Sequence, residues 1–227
     1  MFLEELKTIN FFNIDEDDPF YEFFSDAEFP WQLLGRISQF IKAVGAALTP
    51  ENFRKIGDDI WIENTAVVSE FSSIKGPAII DAGAELRPGC FIRGNVFVGR
   101  GTVVGNSTEI KNALLLGHVD VPHYNYIGDS ILAYGAHMGA GSITSNLRAD
   151  KQNIVVRYGE NEIHTGLRKF GAMVAQSVEV GCNAVLNPGV MVGERSIVYP
   201  LTSVRVSIPP HYIYKQTGEM VRNRNFE

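Results

Sequence analysis

The sequence predicts a mainly β fold, a parallel β-helix with an N-terminal helical cap, and two periodic observations carry that prediction. From Ile56 an aliphatic residue returns at every sixth position: Ile56, Ile62, Val68, Ile74, Ile80, Leu86, Ile92, Val98, Val104, Ile110 and Leu116. Four places after most of these comes a small or β-branched residue, among them Ala66, Ser72, Ala78, Ala84, Cys90 and Thr102. A period of six is a multiple of the strand period of two and fits no helical stripe, so each repeated aliphatic points the same way. One unit cannot bury that residue by itself, whereas stacked units bury a continuous column of them.

Residues 1–50 read as an acidic aromatic arm followed by a helical cap. The first 29 hold nine Asp or Glu and one Lys, but also Phe2, Phe11, Phe12, Phe20, Tyr21, Phe23, Phe24 and Phe29. That aromatic area argues against disorder and predicts an arm docked on the end of the β-helix or on a neighbouring subunit. Pro30 opens a helical pattern with Leu33, Leu34, Ile37, Phe40, Ile41 and Val44 on one face. The expected role of this helix is to cover the open end of the solenoid, where exposed strand edges invite aggregation.

The β-helix is predicted over 51–210. After Leu116 the count breaks, because the next aliphatic in register is Ile127, eleven residues on, with Pro122 between. Such an interruption re-aims side chains and marks a candidate site. Register continues through Leu132 and Met138 and halts at Asn146; residues 147–170 form an excursion whose 153–157 and 162–164 segments flank Tyr158-Gly159 as a hairpin. The hexads resume at Val174, Val180, Leu186, Val192, Val198 and Val204, and Pro209-Pro210 end them before a polar tail, 211–227.

Composition narrows the function. At 227 residues and 45% hydrophobic the chain can bury a full core without disulfides. Cys90 and Cys182 sit inside hexads, form no CxxC pair and read as small core or corner residues in a reducing compartment. No apolar run of about 18 residues and no basic-then-apolar N-terminal signal is present, so a cytoplasmic protein without a membrane partner is expected. The net charge of −6 is concentrated in the arm; the remainder carries 19 basic and 17 acidic residues, a balance that does not suggest a nucleic-acid partner.

The hexad pattern, aliphatic, often Gly, two free residues, small, one free residue, resembles that of the hexapeptide transferases. The resemblance implies a left-handed helix with three hexads per coil, so that positions 18 apart lie on neighbouring coils. On that ruler Arg93 and Lys111 stack as two adjacent cations, which is unfavourable unless an anion lies between them; the spacing alone leaves a phosphate site and plain solvation of both side chains equally open. His123 lies in the broken register beside Pro122, and histidine can take a proton from an attacking amine near neutrality.

Three ordered runs then carry a closer resemblance: Val104-Gly-Asn-Ser-Thr-Glu-Ile-Lys111, His123-Tyr-Asn-Tyr126-Ile-Gly-Asp129 and Gly139-Ala-Gly-Ser-Ile-Thr-Ser-Asn146. They resemble the acetyltransferase domain of the bifunctional glucosamine-1-phosphate acetyltransferase/N-acetylglucosamine-1-phosphate uridyltransferase family. The run Thr165-Gly-Leu-Arg-Lys-Phe170 is similar to that of archaeal-type sugar-1-phosphate nucleotidylyltransferases with an acetyltransferase tail. The resemblance implies a homotrimer that transfers an acetyl group from acetyl-CoA to an amino sugar phosphate without a metal. It makes His123 the general base, puts Arg93, Lys111 and Tyr126 on the sugar phosphate, and sets Ala140 and Asn146 against acetyl-CoA. His137 stands where the family has an Asn on the sugar, and Leu147 replaces an aromatic residue. A Gly-rich nucleotide-binding turn is missing from 1–55, so nucleotidyltransferase activity is not expected of this chain. Two other readings stay open: a sugar-phosphate or nucleotide-sugar-binding scaffold without turnover, and a γ-carbonic-anhydrase-like metalloenzyme suggested by His118 and His123.

Overall fold

The computed structural model describes residues 2–224, without the side chains of Phe2 and Leu3; the end of the predicted tail, 225–227, falls outside the described residues. The chain is a left-handed parallel β-helix of about nine turns with few helices. Each coil is a triangle of three short strands whose inward residues form the predicted column. One side stacks Ile62 on Ile80 and Val98, the next Leu86 on Val104, and the third Ile74 on Ile92 and Ile110. All are buried except Ile74, which is partly buried at the first coil.

Three expectations are corrected. Ile56 lies outside the column: it is 55% exposed, in a strand, Phe53–Gly57, that pairs antiparallel with Ile60–Glu63 and closes the first coil as a hairpin. The register break comes earlier than Leu116. Val98 pairs with Leu115 and Leu115 with Leu132, a spacing of 17 residues instead of 18, so Leu115 enters the column and Leu116 turns outward. The missing residue lies between Ile110 and Leu115, where Asn112 makes the corner alone at φ 48°; the coil before uses both Gly94 and Asn95 at positive φ. Finally, Pro209-Pro210 do not end the solenoid. Tyr212–Tyr214 adds a rung parallel to Ile197–Val198, Tyr214 is buried, and Met220–Arg222 folds back antiparallel upon it.

The arm and cap lie along a side of the β-helix and not over its end. One residue before each inward aliphatic on that side stands an outward apolar one, in the stack Ile79, Phe97, Leu114, Ile131, Met173, Met191. All six are buried beneath Phe12, Phe20, Phe24, Trp31, Leu33, Ile37 and Ile41. The arm's helices, Thr8–Phe12 and Tyr21–Ser25, are too short to persist alone. Burial holds them, at about 1.5–3 kcal/mol for each large apolar side chain removed from water. Polar ties fix the register: Tyr134 Oη donates to Asp18 at 2.7 Å, Tyr158 Oη to Glu5 at 2.6 Å, and Gln176 Nε2 to the Phe12 carbonyl at 2.9 Å. The excursion is the expected hairpin, Val155–Tyr158 against Asn161–His164. Among the described residues no helix is long and apolar enough to cross a membrane.

Candidate functional site

The shortened corner gathers most of the predicted residues. Asn95, Asn112 and Asp129 stack there, all at positive φ, a conformation that Asn and Asp tolerate better than other non-glycine residues. Their side chains form a ladder in which Asn95 Nδ2 meets Asn112 Oδ1 at 3.4 Å and Asn112 Nδ2 donates to Asp129 Oδ1 at 2.9 Å. Asp129, only 5% exposed, is its hub: its other carboxylate oxygen accepts from Asn146 Nδ2 and lies 3.6 Å from Lys111 Nζ. Asn146 Nδ2 also lies 3.2 Å from Tyr126 Oη, and Tyr126 stacks beside Glu109 on the coil before. Burial, with the Asp129 and Glu109 carboxylates behind it, pushes the Tyr126 phenol above its ordinary range. Lys111, Tyr126 and Asn146 are thereby brought together at the neck of the excursion, where Phe170 N donates to the Asn146 carbonyl and Gly171 N to that of Asp129.

Arg93 and Lys111 are neighbours on adjacent coils, as the spacing required. The reason given for a phosphate between them is corrected, because each cation already has a carboxylate: Arg93 bonds Glu109, and Lys111 faces Asp129. The hydrogen bond to Glu109 raises the Arg93 guanidinium further above its ordinary value.

His123 lies across the next corner. It is exposed, and among the described residues its ring has no hydrogen-bond partner. Its backbone is fixed by the buried Asn125, whose Oδ1 accepts from His123 N at 3.0 Å while Nδ2 donates to the carbonyls of Gly139, at 2.9 Å, and Ser142, at 3.1 Å. Ala140 is thus the residue next to His123 on the following coil, and Gly141 N donates to the His123 carbonyl. Gly139 N is also engaged, by Val180, which leaves the Ala140 N–H as the amide of this corner without a partner among the described residues. His137 is not part of either cluster. It stacks below Asp120 on the His123 side of the triangle, and its Nδ1 lies 2.7 Å from Glu179 Oε2.

Sequence reasoning singled out neither Asn125, Glu109 nor Asn112, and it quoted Asp129 only within a motif. A signal for the last existed, since Asp129 occupies the slot of Asn112 one coil earlier once the 17-residue spacing is known. The metalloenzyme reading gains nothing: His118 and His123 sit at opposite ends of one side, and no group of three metal-ligating side chains occurs among the described residues. Cys90 is buried and Cys182 exposed; burial pushes the Cys90 thiol up to about 11.

Fold and repeat together define a left-handed β-helix of the hexapeptide-repeat class. The family model of the GMPPB C-terminal domain matches residues 74–157. The chain is 36% identical over 209 residues to the bifunctional protein GlmU of Methanococcus aeolicus, covering 89% of this chain and 50% of that protein. It is 32% identical over 206 residues to the GlmU of Methanococcus vannielii, with the same coverage. An uncharacterized acetyltransferase of Escherichia coli, YaiX, is 29% identical over 195 residues, 82% of this chain and 84% of that one. The chain thus spans about half the length of the GlmU proteins it matches. Among solved structures, PerB from Caulobacter crescentus in complex with CoA and GDP-perosamine is 16% identical, with a TM-score of 0.42 over 71% of this chain and 56% of that one.

Proposed function

We propose that this chain is an acetyl-CoA-dependent N-acetyltransferase acting on an amino sugar 1-phosphate of the glucosamine or galactosamine kind. One observation carries the reading: an exposed histidine whose ring has no partner among the described residues stands beside a corner whose Ala140 N–H is likewise unpartnered among them. His123 takes the proton of the sugar amine as its nitrogen attacks the thioester carbonyl. The oxyanion that forms faces the Ala140 N–H. Collapse of the tetrahedral intermediate expels the CoA thiolate, which recovers the proton from the His123 imidazolium. Arg93 and Lys111 hold the sugar phosphate with the donors that Glu109 and Asp129 leave free, and Tyr126, kept as the neutral phenol, donates to the sugar. Asn146 supports the acetyl-CoA side. The similarity to proteins named GlmU and to one named an acetyltransferase supports this chemistry. A homotrimer, with the site in the cleft between copies, supplies the walls that a flat side lacks.

The test is thiol release from acetyl-CoA against a panel of amino sugar 1-phosphates, with the wild type and His123→Ala. Release by the wild type and a loss of about 10²–10⁴-fold in the variant are expected. Release that survives the substitution removes His123 from the centre of the chemistry. No release with any amine at saturating donor sinks the transferase reading in favour of a binding protein.

A further inference from the structure

We propose that the groove at the neck of the excursion binds a nucleoside diphosphate moiety. The proposal rests on the transferase reading and names the ligand chemistry beside its site. The groove encloses about 680 Å³ between the cap connection at Leu34-Gly35, the Asn112–Asp129 corner and the two limbs of the excursion. That volume lies within the range of small-ligand sites.

Its charge decides what it takes. Lys151 enters from the outgoing limb, Arg168 and Lys169 from the returning one, and all three are exposed. Among the described residues none of the three has a carboxylate within ion-pair distance, although the two other arginines of the excursion do: Arg148 is held by Asp150 and Arg157 by Glu162. The groove's own carboxylate, Asp129, is engaged by Lys111, Asn112 and Asn146. Lys111 and Asp129 cancel, so three uncompensated positive charges from separate limbs face one space. Gathering like charges is unfavourable until an anion enters, and three of them match a diphosphate better than a single phosphate. Leu34, Leu147 and Leu167 line the same groove and offer apolar surface to a base or ribose. Two molecules carry this chemistry, coenzyme A and a nucleotide-linked sugar.

Titration calorimetry with CoA and with UDP as separate probes, on wild type and on the double variant Arg168→Ala, Lys169→Ala, tests the assignment. The wild type is expected to bind at least one probe, and the double variant to bind it about tenfold or more weakly, with a shallower dependence on salt. Lys151→Ala should weaken it in the same sense. A loss for CoA alone assigns the groove to the donor, a loss for UDP alone to a nucleotide-linked sugar distinct from the sugar 1-phosphate acceptor, and a loss for both supports the shared moiety. Equal affinity in wild type and variant, or no binding of either probe by a wild type folded by circular dichroism, overturns the proposal. The transferase reading fails separately: absence of thiol release alongside a weakened variant removes the activity and leaves the groove. Release with unchanged KM for both substrates in the double variant removes the groove and leaves the enzyme.

Discussion

Asp129 combines two tasks that are usually assigned to different residues. At φ 47° it turns the chain, and from the same position its carboxylate holds Lys111, Asn112 and Asn146. Asp129→Asn preserves the turn and most of the volume but removes the charge beside Lys111. It should lower kcat/KM at least about tenfold while shifting the melting temperature only a few degrees, since an isosteric change leaves the corner formed. Asn125 supports the other corner by accepting from the His123 N–H and donating two buried hydrogen bonds to the Gly139 and Ser142 carbonyls. Asn125→Leu strands the Ser142 carbonyl and the His123 N–H, whereas the Gly139 carbonyl keeps its bonds from Ser142, and about 2–4 kcal/mol of stability should be lost in urea unfolding. Neither residue was conspicuous in the sequence. A buried Asn and a turn Asp look like ordinary loop residues until the coil spacing shows what lies above and below them.

At the scale of the element, the hexad column was legible because an inward aliphatic every six residues has no other reading. Its slip was not, because Leu114, Leu115 and Leu116 are chemically interchangeable and the period alone chooses the last of them. Only the pairing of Val98 with Leu115 decides it. The outer apolar stack from Ile79 to Met191 was equally present in the sequence, one place ahead of the inward set, and it is what draws the arm onto a side instead of an end. Leu115→Ala should cost about 2–5 kcal/mol as a cavity within the column. Where coils approach most closely the tolerance is smaller still: a Cβ at Gly105 would sit 1.4 Å from the Pro122 carbonyl oxygen. Gly105→Ala should therefore destabilise by about 3 kcal/mol in denaturant titration and disturb the neighbouring His123 as well.

For the whole molecule, the arm is fastened through groups that titrate. Burial and the carboxylates of Asp18 and Glu5 hold the Tyr134 and Tyr158 phenols well above their ordinary value of 10.0. A raised folded-state value favours the protonated form, so this stabilisation is complete below about pH 10 and lost as pH rises towards the folded-state values. Limited proteolysis should cut the arm only at strongly alkaline pH, and the fluorescence of Trp31, packed against Phe170, should change in step. The double variant Tyr134→Phe, Tyr158→Phe should lose that pH dependence. The arm also restricts how copies can meet. A cyclic ring of three joins two different patches of each member, and here one side of a triangular prism is already covered, so the other two are left to mate. Those two share the edge that carries His123. Closure of the ring would place three such edges towards its centre, and sedimentation should then report three times the chain mass of 25.1 kDa.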